Sequence, residues 1–207
     1  GKNSMSNNTS GSTNAAFGQN SLESNTTGGD NLALGYNALN NNTTGSRNVV
    51  IGKGAASNND SGNSNVAIGG DALVENFNGN SNIAIGTEAL RYNSEGNQNV
   101  AIGQGSLSAN LVSGNIGIGF NSLTSTVSGS HNVAIGEESM ISNVSGFKNV
   151  AIGASSMRSA GGSNYQNTSV GHDSSQFING YNNTAIGFGS GRNIDDSNST
   201  SNNNTFL

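Results

Sequence analysis

Few residues in this sequence have the types and spacing that chemistry needs. His131 and His172 are the only two histidines. His172, Asp173 and Ser174 have the composition of a nucleophilic triad, but they are consecutive, and an extended chain sends neighbours to opposite faces. Glu137-Glu138 and Asp195-Asp196 are the carboxylate pairs that acid–base catalysis or a cation would use. Adjacent surface acids are more often simply solvated, and that reading is preferred. The run Gly187-Phe188-Gly189-Ser190-Gly191 has neither the Lys-Ser/Thr nor the helix pattern of a phosphate loop. Sequons such as Asn25-Thr26-Thr27 and Asn42-Thr43-Thr44 arise by chance in so Asn-rich a chain. The residues therefore point to no catalysis, no cofactor and no metal.

The elements that position these residues are set by a repeat. Asn65-Val66-Ala67-Ile68-Gly69 returns at Asn82, Asn99, Asn132 and Asn149, with weaker copies at Asn14, Asn31, Asn48, Asn115, Asn167, Asn183 and Asn204. The interval is 17 residues five times running from Asn14 to Asn99, then 16, 17, 17, 18, 16 and 21. A short period held this closely marks a stacked array. Within each copy the first and third residues after Asn are mostly apolar and often β-branched, which suits a strand. The residue between them is small, from Ala16 and Ala33 to Ala185, and a Gly follows. Such a row predicts close approach of another backbone.

A further apolar residue recurs eight positions after the Asn, as in Leu22, Leu39, Leu73 and Met140, and the unit then bends back at Gly28, Gly45 or Gly62. Each unit reads as strand, turn, short second strand, turn. The fold class expected is all-β, a parallel β-solenoid (β-roll) of about eleven 17-residue coils. Apolar spacing of two excludes a helix. The leading Asn residues are expected to form a ladder along the axis rather than a ligand-binding row. Asp71 and Glu88 share a repeat position, so they should lie roughly 4.8 Å apart, either at a cation or, preferably, solvated.

Composition alone, with 9% charged residues, 31 Gly and no Pro, suggests disorder, and the period overrides it. Three modest apolar side chains per coil make a thin core against about 1–2 kcal/mol of backbone entropy per residue. Packing the Ala row of three chains around a common axis would add a second buried surface, so a homotrimer is expected. The absence of Cys leaves the compartment open. No apolar run is long enough to span a membrane, and there is no signal peptide, so no membrane insertion is expected. A net charge of −5 with seven scattered Lys and Arg argues against nucleic acid.

Along the chain, residues 1–13 read as a polar leader or partial coil, 14–157 as the regular array, and 158–207 as irregular terminal repeats. The sequence stops within a repeat at Asn204-Thr205-Phe206-Leu207, which suggests a fragment of a longer fibre. Phe77 and Tyr92 fall in return loops, and Tyr165, Phe177, Tyr181 and Phe188 gather in the irregular repeats. The last four are candidate receptor contacts, because loops on a rigid scaffold commonly carry recognition. An equal alternative is that they close imperfect coils.

The Asn-Val-Ala-Ile-Gly copies resemble the head repeats of YadA-like trimeric autotransporter adhesins. The unit Asn31-Leu32-Ala33-Leu34-Gly35-Tyr36-Asn37-Ala38-Leu39, with Asn42-Thr43-Thr44-Gly45 after it, is closer to the NTAIGYNAL/NTTG repeats of phage tail-fibre proteins. The likeness covers roughly residues 14–191, although the period exceeds that of the adhesin repeat. It implies a trimeric parallel β-roll, extracellular, in a virion tail fibre or on a bacterial surface. Its implied partners are its own copies and a host-cell surface glycan or protein. The function expected is the structural rod of an extracellular trimeric fibre that projects and takes part in host-surface binding. The alternatives are a bacterial trimeric adhesin head and, further off, a glycan-cleaving tail spike.

Overall fold

The computed structural model describes residues 1–160, 164–178, 180–194 and 203–207. The strands of the regular array are three residues each: β1 (Ala15–Phe17), β2 (Leu32–Leu34), β3 (Val49–Ile51), β4 (Val66–Ile68), β5 (Ile83–Ile85), β6 (Val100–Ile102), β7 (Ile116–Ile118), β8 (Val133–Ile135) and β9 (Val150–Ile152). After them come β10 (Ser159–Ala160), β11 (Thr168–Val170), β12 (Phe177–Ile178), β13 (Thr184–Ile186), β14 (Asn193–Ile194) and β15 (Thr205–Phe206). Twelve strands form one sheet in the order β1 to β9, then β11, β13 and β15. All its pairings are parallel and in repeat register, for example Val66↔Ile83 and Ala67↔Ala84. The chain is thus an all-β parallel solenoid whose spacing is the 17-residue period of the sequence. With neighbouring strands about 4.8 Å apart, the stack is roughly 50 Å long.

The direction of the side chains corrects one expectation. The small row points into the coil and not to an outside axis. Ala33, Ala67, Ala84, Ala101, Ala134 and Ala151 are fully buried within the single chain. They face Leu39, Leu73, Leu90, Leu107, Leu123, Met140 and Met157, which are also fully buried. The β-branched residues on either side of each Ala point outward, and Ile83 and Ile102 are exposed. The cavity of so narrow a coil has room for one long side chain per turn, and Ala is what remains opposite it.

The second strand of each unit is also absent from the regular array. Leu22, Leu39, Leu73, Leu90, Leu107 and Leu123 have φ between 51 and 54°, in the left-handed region, so the return limb is a chain of turns. Around the turn that begins at Asn65, Ser64 just before it and Asp71 and Leu73 within it have positive φ, of 58, 53 and 54°. Left-handed geometry at non-glycine residues costs about 1–3 kcal/mol and persists where the surroundings over-determine it. Here the stack supplies that constraint: Leu73 donates its N–H to Ala89 and Ala56 donates to Ala72. A short second sheet, β10-β12-β14, forms only in the last turns. Residues 1–13 take part in the stack, with the N–H groups of Met5, Asn7 and Thr9 donated to Ser21, Glu23 and Thr26.

Two ladders of buried amides hold the turns in register. In the first, the Oδ1 of each leading Asn accepts the backbone N–H of the next, at 2.9–3.0 Å throughout from Asn14 to Asn204. Its Nδ2 donates to the carbonyl of the Gly that ends the same turn, as from Asn65 to Gly79 at 2.8 Å. The second ladder runs through Asn8, Asn25, Asn42, Asn59, Asn76, Asn93 and Asn110, joined Nδ2 to Oδ1 at 2.7–3.3 Å. Thr126 interrupts it. Buried amides so fully paired cost little and fix the register.

The interior grows polar toward the C-terminus. After Ser21 in the first full turn, the buried Ala38, Ala55, Ala72 and Ala89 give way to Ser106, Ser122, Ser139, Ser156 and Ser174. In the turn from Asn167 even the long apolar residue is replaced, by the buried Ser175, whose hydroxyl has no partner. Its φ of 47° is close to that of the Leu residues it replaces. Ser175→Leu is therefore expected to stabilise the last turns by about 1–3 kcal/mol, the value of burying such a side chain. Hydrogen exchange of residues 164–178 checks this, and faster exchange would show that the site is too small.

Candidate functional site

The residues with chemical potential are dispersed by the coil. The His172 Nδ1 lies 3.4 Å from Asp173 Oδ2, but Ser174 turns inward, where its hydroxyl donates to the Ala185 carbonyl at 3.2 Å. The sequence neighbours thus separate into an exposed pair and a buried hydroxyl, and no triad forms. Arg192 approaches Asp173 at 3.7 Å and donates its Nε–H to Gln176 at 2.9 Å. Glu138, of the Glu137-Glu138 pair, is matched by Arg158 at 2.8 Å. Asp195-Asp196 lie outside the described residues. Asp71 and Glu88 share a left-handed position but diverge: Asp71 folds over Gly54 of the previous turn and Glu88 pairs with Arg91 at 3.0 Å. Such surface pairs are worth about 0–1 kcal/mol. Among the described residues no His, Asp and Glu side chains cluster closely enough to hold a metal ion, and no helix is long and apolar enough to cross a membrane.

His131 is exposed, with Nδ1 3.1 Å from the Ser130 hydroxyl and its ring over Gly114. Gly187, Gly189 and Gly191 all take positive φ, so the glycine-rich run is a corner of the coil. Asn25 and Asn42, the leading residues of two sequons, are buried in the second amide ladder and closed to modification in the folded chain.

The four aromatic candidates do not form one patch. Tyr165 and Tyr181 stack on each other with centroids 4.7 Å apart, and Phe147 continues the stack below Tyr165 at 5.1 Å. Their rings are near parallel, at 3 and 8°, so the faces a sugar would use are largely taken by one another. Phe177 is exposed on the separate short sheet, in β12. Phe188, 80% exposed, stacks on His172 at 5.5 Å. The positions fall two residues before the leading Asn, ten after it and five after it, which are three different places on the coil. Phe147 completes the stack and was legible, since Phe147, Tyr165 and Tyr181 each stand two residues before an Asn.

The most extensive surface feature lies elsewhere, on the outer face of the long sheet. The residues flanking the buried position in β1 to β9, β11, β13 and β15 include no Asp, Glu, Lys or Arg. Leu34, Val49, Ile83, Ile102, Ile152 and Ile186 are exposed there; one row is apolar from Phe17 to Leu207, and the other is apolar as far as Val150 and then continues as Thr168, Thr184 and Thr205. Comparison with family models, curated proteins and solved structures gave no match.

Proposed function

We propose that this chain is the shaft of a homotrimeric extracellular fibre of tail-fibre type, which projects from its particle and presents weak contacts to a host surface in three copies. The observation that carries this reading is the uncharged outer sheet face. Contiguous apolar surface of this kind marks a contact site, and the coil's own interior is too slight to explain the stability of a lone rod. Covering that face with further copies of the same chain buries it along its whole length. The stack makes a stiff spacer, and repeated presentation of each corner supplies avidity without any single strong site. Catalysis has no part in this role. The resemblance of the repeats to tail-fibre sequences supports the same reading.

Two measurements test it. Sedimentation equilibrium should give about 62 kDa, three times the 20.8 kDa chain. Binding to bacterial envelopes should fall at least tenfold when Tyr165, Phe177, Tyr181 and Phe188 are all replaced by Ser, with the regular turns still folded. A monomer at micromolar concentration would defeat the shaft reading. Undiminished binding would remove these aromatics as contacts.

A further inference from the structure

The stacked rings of the last turns have a reactivity of their own. Of the four tyrosines, only Tyr165 and Tyr181 stand at one repeat position in consecutive turns, each two residues before a leading Asn. Their backbones are joined by a parallel bridge, and the Tyr165 carbonyl accepts the N–H of Asn182 at 3.2 Å. The rings leave these paired positions side by side, with centroids 4.7 Å apart and planes within 8° of parallel. Both residues are partly exposed, and Gln166 and Asn182, which follow them, are exposed. Phe147 extends the stack beyond Tyr165 but has no phenol. Tyr36 stands between Gln19 and Lys53 at its repeat position, and Tyr92 between Glu75 and Ala109, so neither has a second phenol in the adjacent turn.

We infer that Tyr165 and Tyr181 form an oxidative cross-linking site, at which a one-electron oxidant joins the two rings as dityrosine and staples consecutive turns. Each phenol gives up one electron and its hydroxyl proton and becomes a phenoxyl radical, whose spin lies partly on the ring carbons ortho to the oxygen. Two such radicals held in a stack combine through one ortho carbon of each. The hydrogen on each joined carbon then moves to its own ring's oxygen and restores both phenols. The sum is one new carbon–carbon bond, with two electrons passed to the oxidant and two protons to water. Stacking replaces the chance encounter that this coupling needs in solution with a neighbour already in place. The bond closes a loop of 16 residues and so removes entropy from the unfolded chain. It falls where the interior is least apolar, since the turn from Asn167 holds Ser175 in place of the long apolar residue, with a hydroxyl that has no partner.

The test illuminates the full chain with a ruthenium(II) tris-bipyridyl complex and persulfate. Ruthenium(III) is then the one-electron oxidant, and persulfate ends as sulfate. The single-chain mass should fall by two hydrogens, and the fluorescence of a biphenol should appear. Asp173 is the only acidic residue between the two tyrosines, so cleavage before it should leave the fragments carrying Tyr165 and Tyr181 joined. Tyr165→Phe and Tyr181→Phe keep an aromatic ring in the stack and should each abolish the link, whereas Tyr36→Phe combined with Tyr92→Phe should retain it. Hydrogen exchange of residues 164–178 should slow by about tenfold or more in the linked chain, because closing a loop of this length constrains the unfolded state. Fragments that separate after oxidation would overturn the inference. So would links found only between chains, a link that survives Tyr165→Phe, or one lost with Tyr36 and Tyr92. Exchange no slower than in the unlinked chain would overturn the staple.

Discussion

Ala84→Glu is expected to prevent the coil from folding, whereas Ile83→Glu, one residue earlier, is expected to leave the chain folded and block the trimer proposed above. The Ala84 side chain is fully buried, and its neighbours in register are Ala67 and Ala101. A carboxylate placed there has no partner and no room, and an uncompensated buried charge costs about 3–5 kcal/mol or more. That is a large share of the roughly 5–15 kcal/mol by which domains are stable. Ile83 instead points outward and is 37% exposed, so a carboxylate at that site stays hydrated in the free chain. Its cost arises only when another copy covers the sheet face. The expected pattern is loss of β-type circular dichroism for Ala84→Glu, and a native spectrum with a single-chain sedimentation mass for Ile83→Glu. A folded monomer from Ala84→Glu would mean that the small row lines an external axis after all.

Asn82→Ala is expected to loosen the stack although it introduces no charge. The Asn82 Oδ1 accepts the N–H of Asn99 at 3.0 Å, and its Nδ2 donates to the Gly96 carbonyl at 2.8 Å and to Asn65 Oδ1 at 3.1 Å. Truncation leaves the buried Asn99 N–H without a partner, at about 1–3 kcal/mol, whereas the Gly96 carbonyl still accepts from Asn93 Nδ2 and Asn65 Oδ1 still accepts the backbone N–H of residue 82. Asn80 belongs to a half-buried row of Asn and Ser, and its Oδ1 accepts the Asn63 N–H at 2.9 Å at a position water can reach, so Asn80→Ala should cost less than about 1 kcal/mol. Urea unfolding, followed together with hydrogen exchange in the turns between Asn65 and Asn99, separates the two. Equal midpoints would mean that the ladder adds nothing to an ordinary surface contact.

How much of this was legible depends on what a period can encode. The interval between leading Asn residues gave the solenoid, the parallel register and the first amide ladder directly, because stacking identical units brings identical residues together. The second ladder was equally present in the spacing of Asn25, Asn42, Asn59, Asn76 and Asn93, but these stand in polar stretches that read as loop. Alternation separated Ala84 from Ile83 and Ile85 without saying which side was inner. That depends on the width of the coil, where Leu90 already fills the space. The left-handed Leu residues were hidden because Leu has no local preference for that geometry, and only the stack imposes it. The aromatic candidates were found as residues, yet their division among three places required knowing the corners.

In the turns from Asn99 and Asn149 the spacing irregularities fall before the closing carbonyl, which stays three residues ahead of the next leading Asn. From Asn99 to Asn115 the interval is 16 residues, from Asn149 to Asn167 it is 18, and from Asn183 to Asn204 it is 21. The Oδ1 to N–H step nevertheless stays at 2.9, 3.0 and 3.0 Å across these three junctions. Where the closing Gly is displaced, Asn99 donates to the Val112 carbonyl and Asn149 to that of Asn164. Each coil therefore inherits its alignment from the coil before it and owes nothing to distant parts of the chain. Copying or excising one whole repeat in a gene would lengthen or shorten the rod by a single step and disturb no contact elsewhere. Reach becomes a quantity that selection can tune in units of about 4.8 Å, while the corners vary independently in length and chemistry.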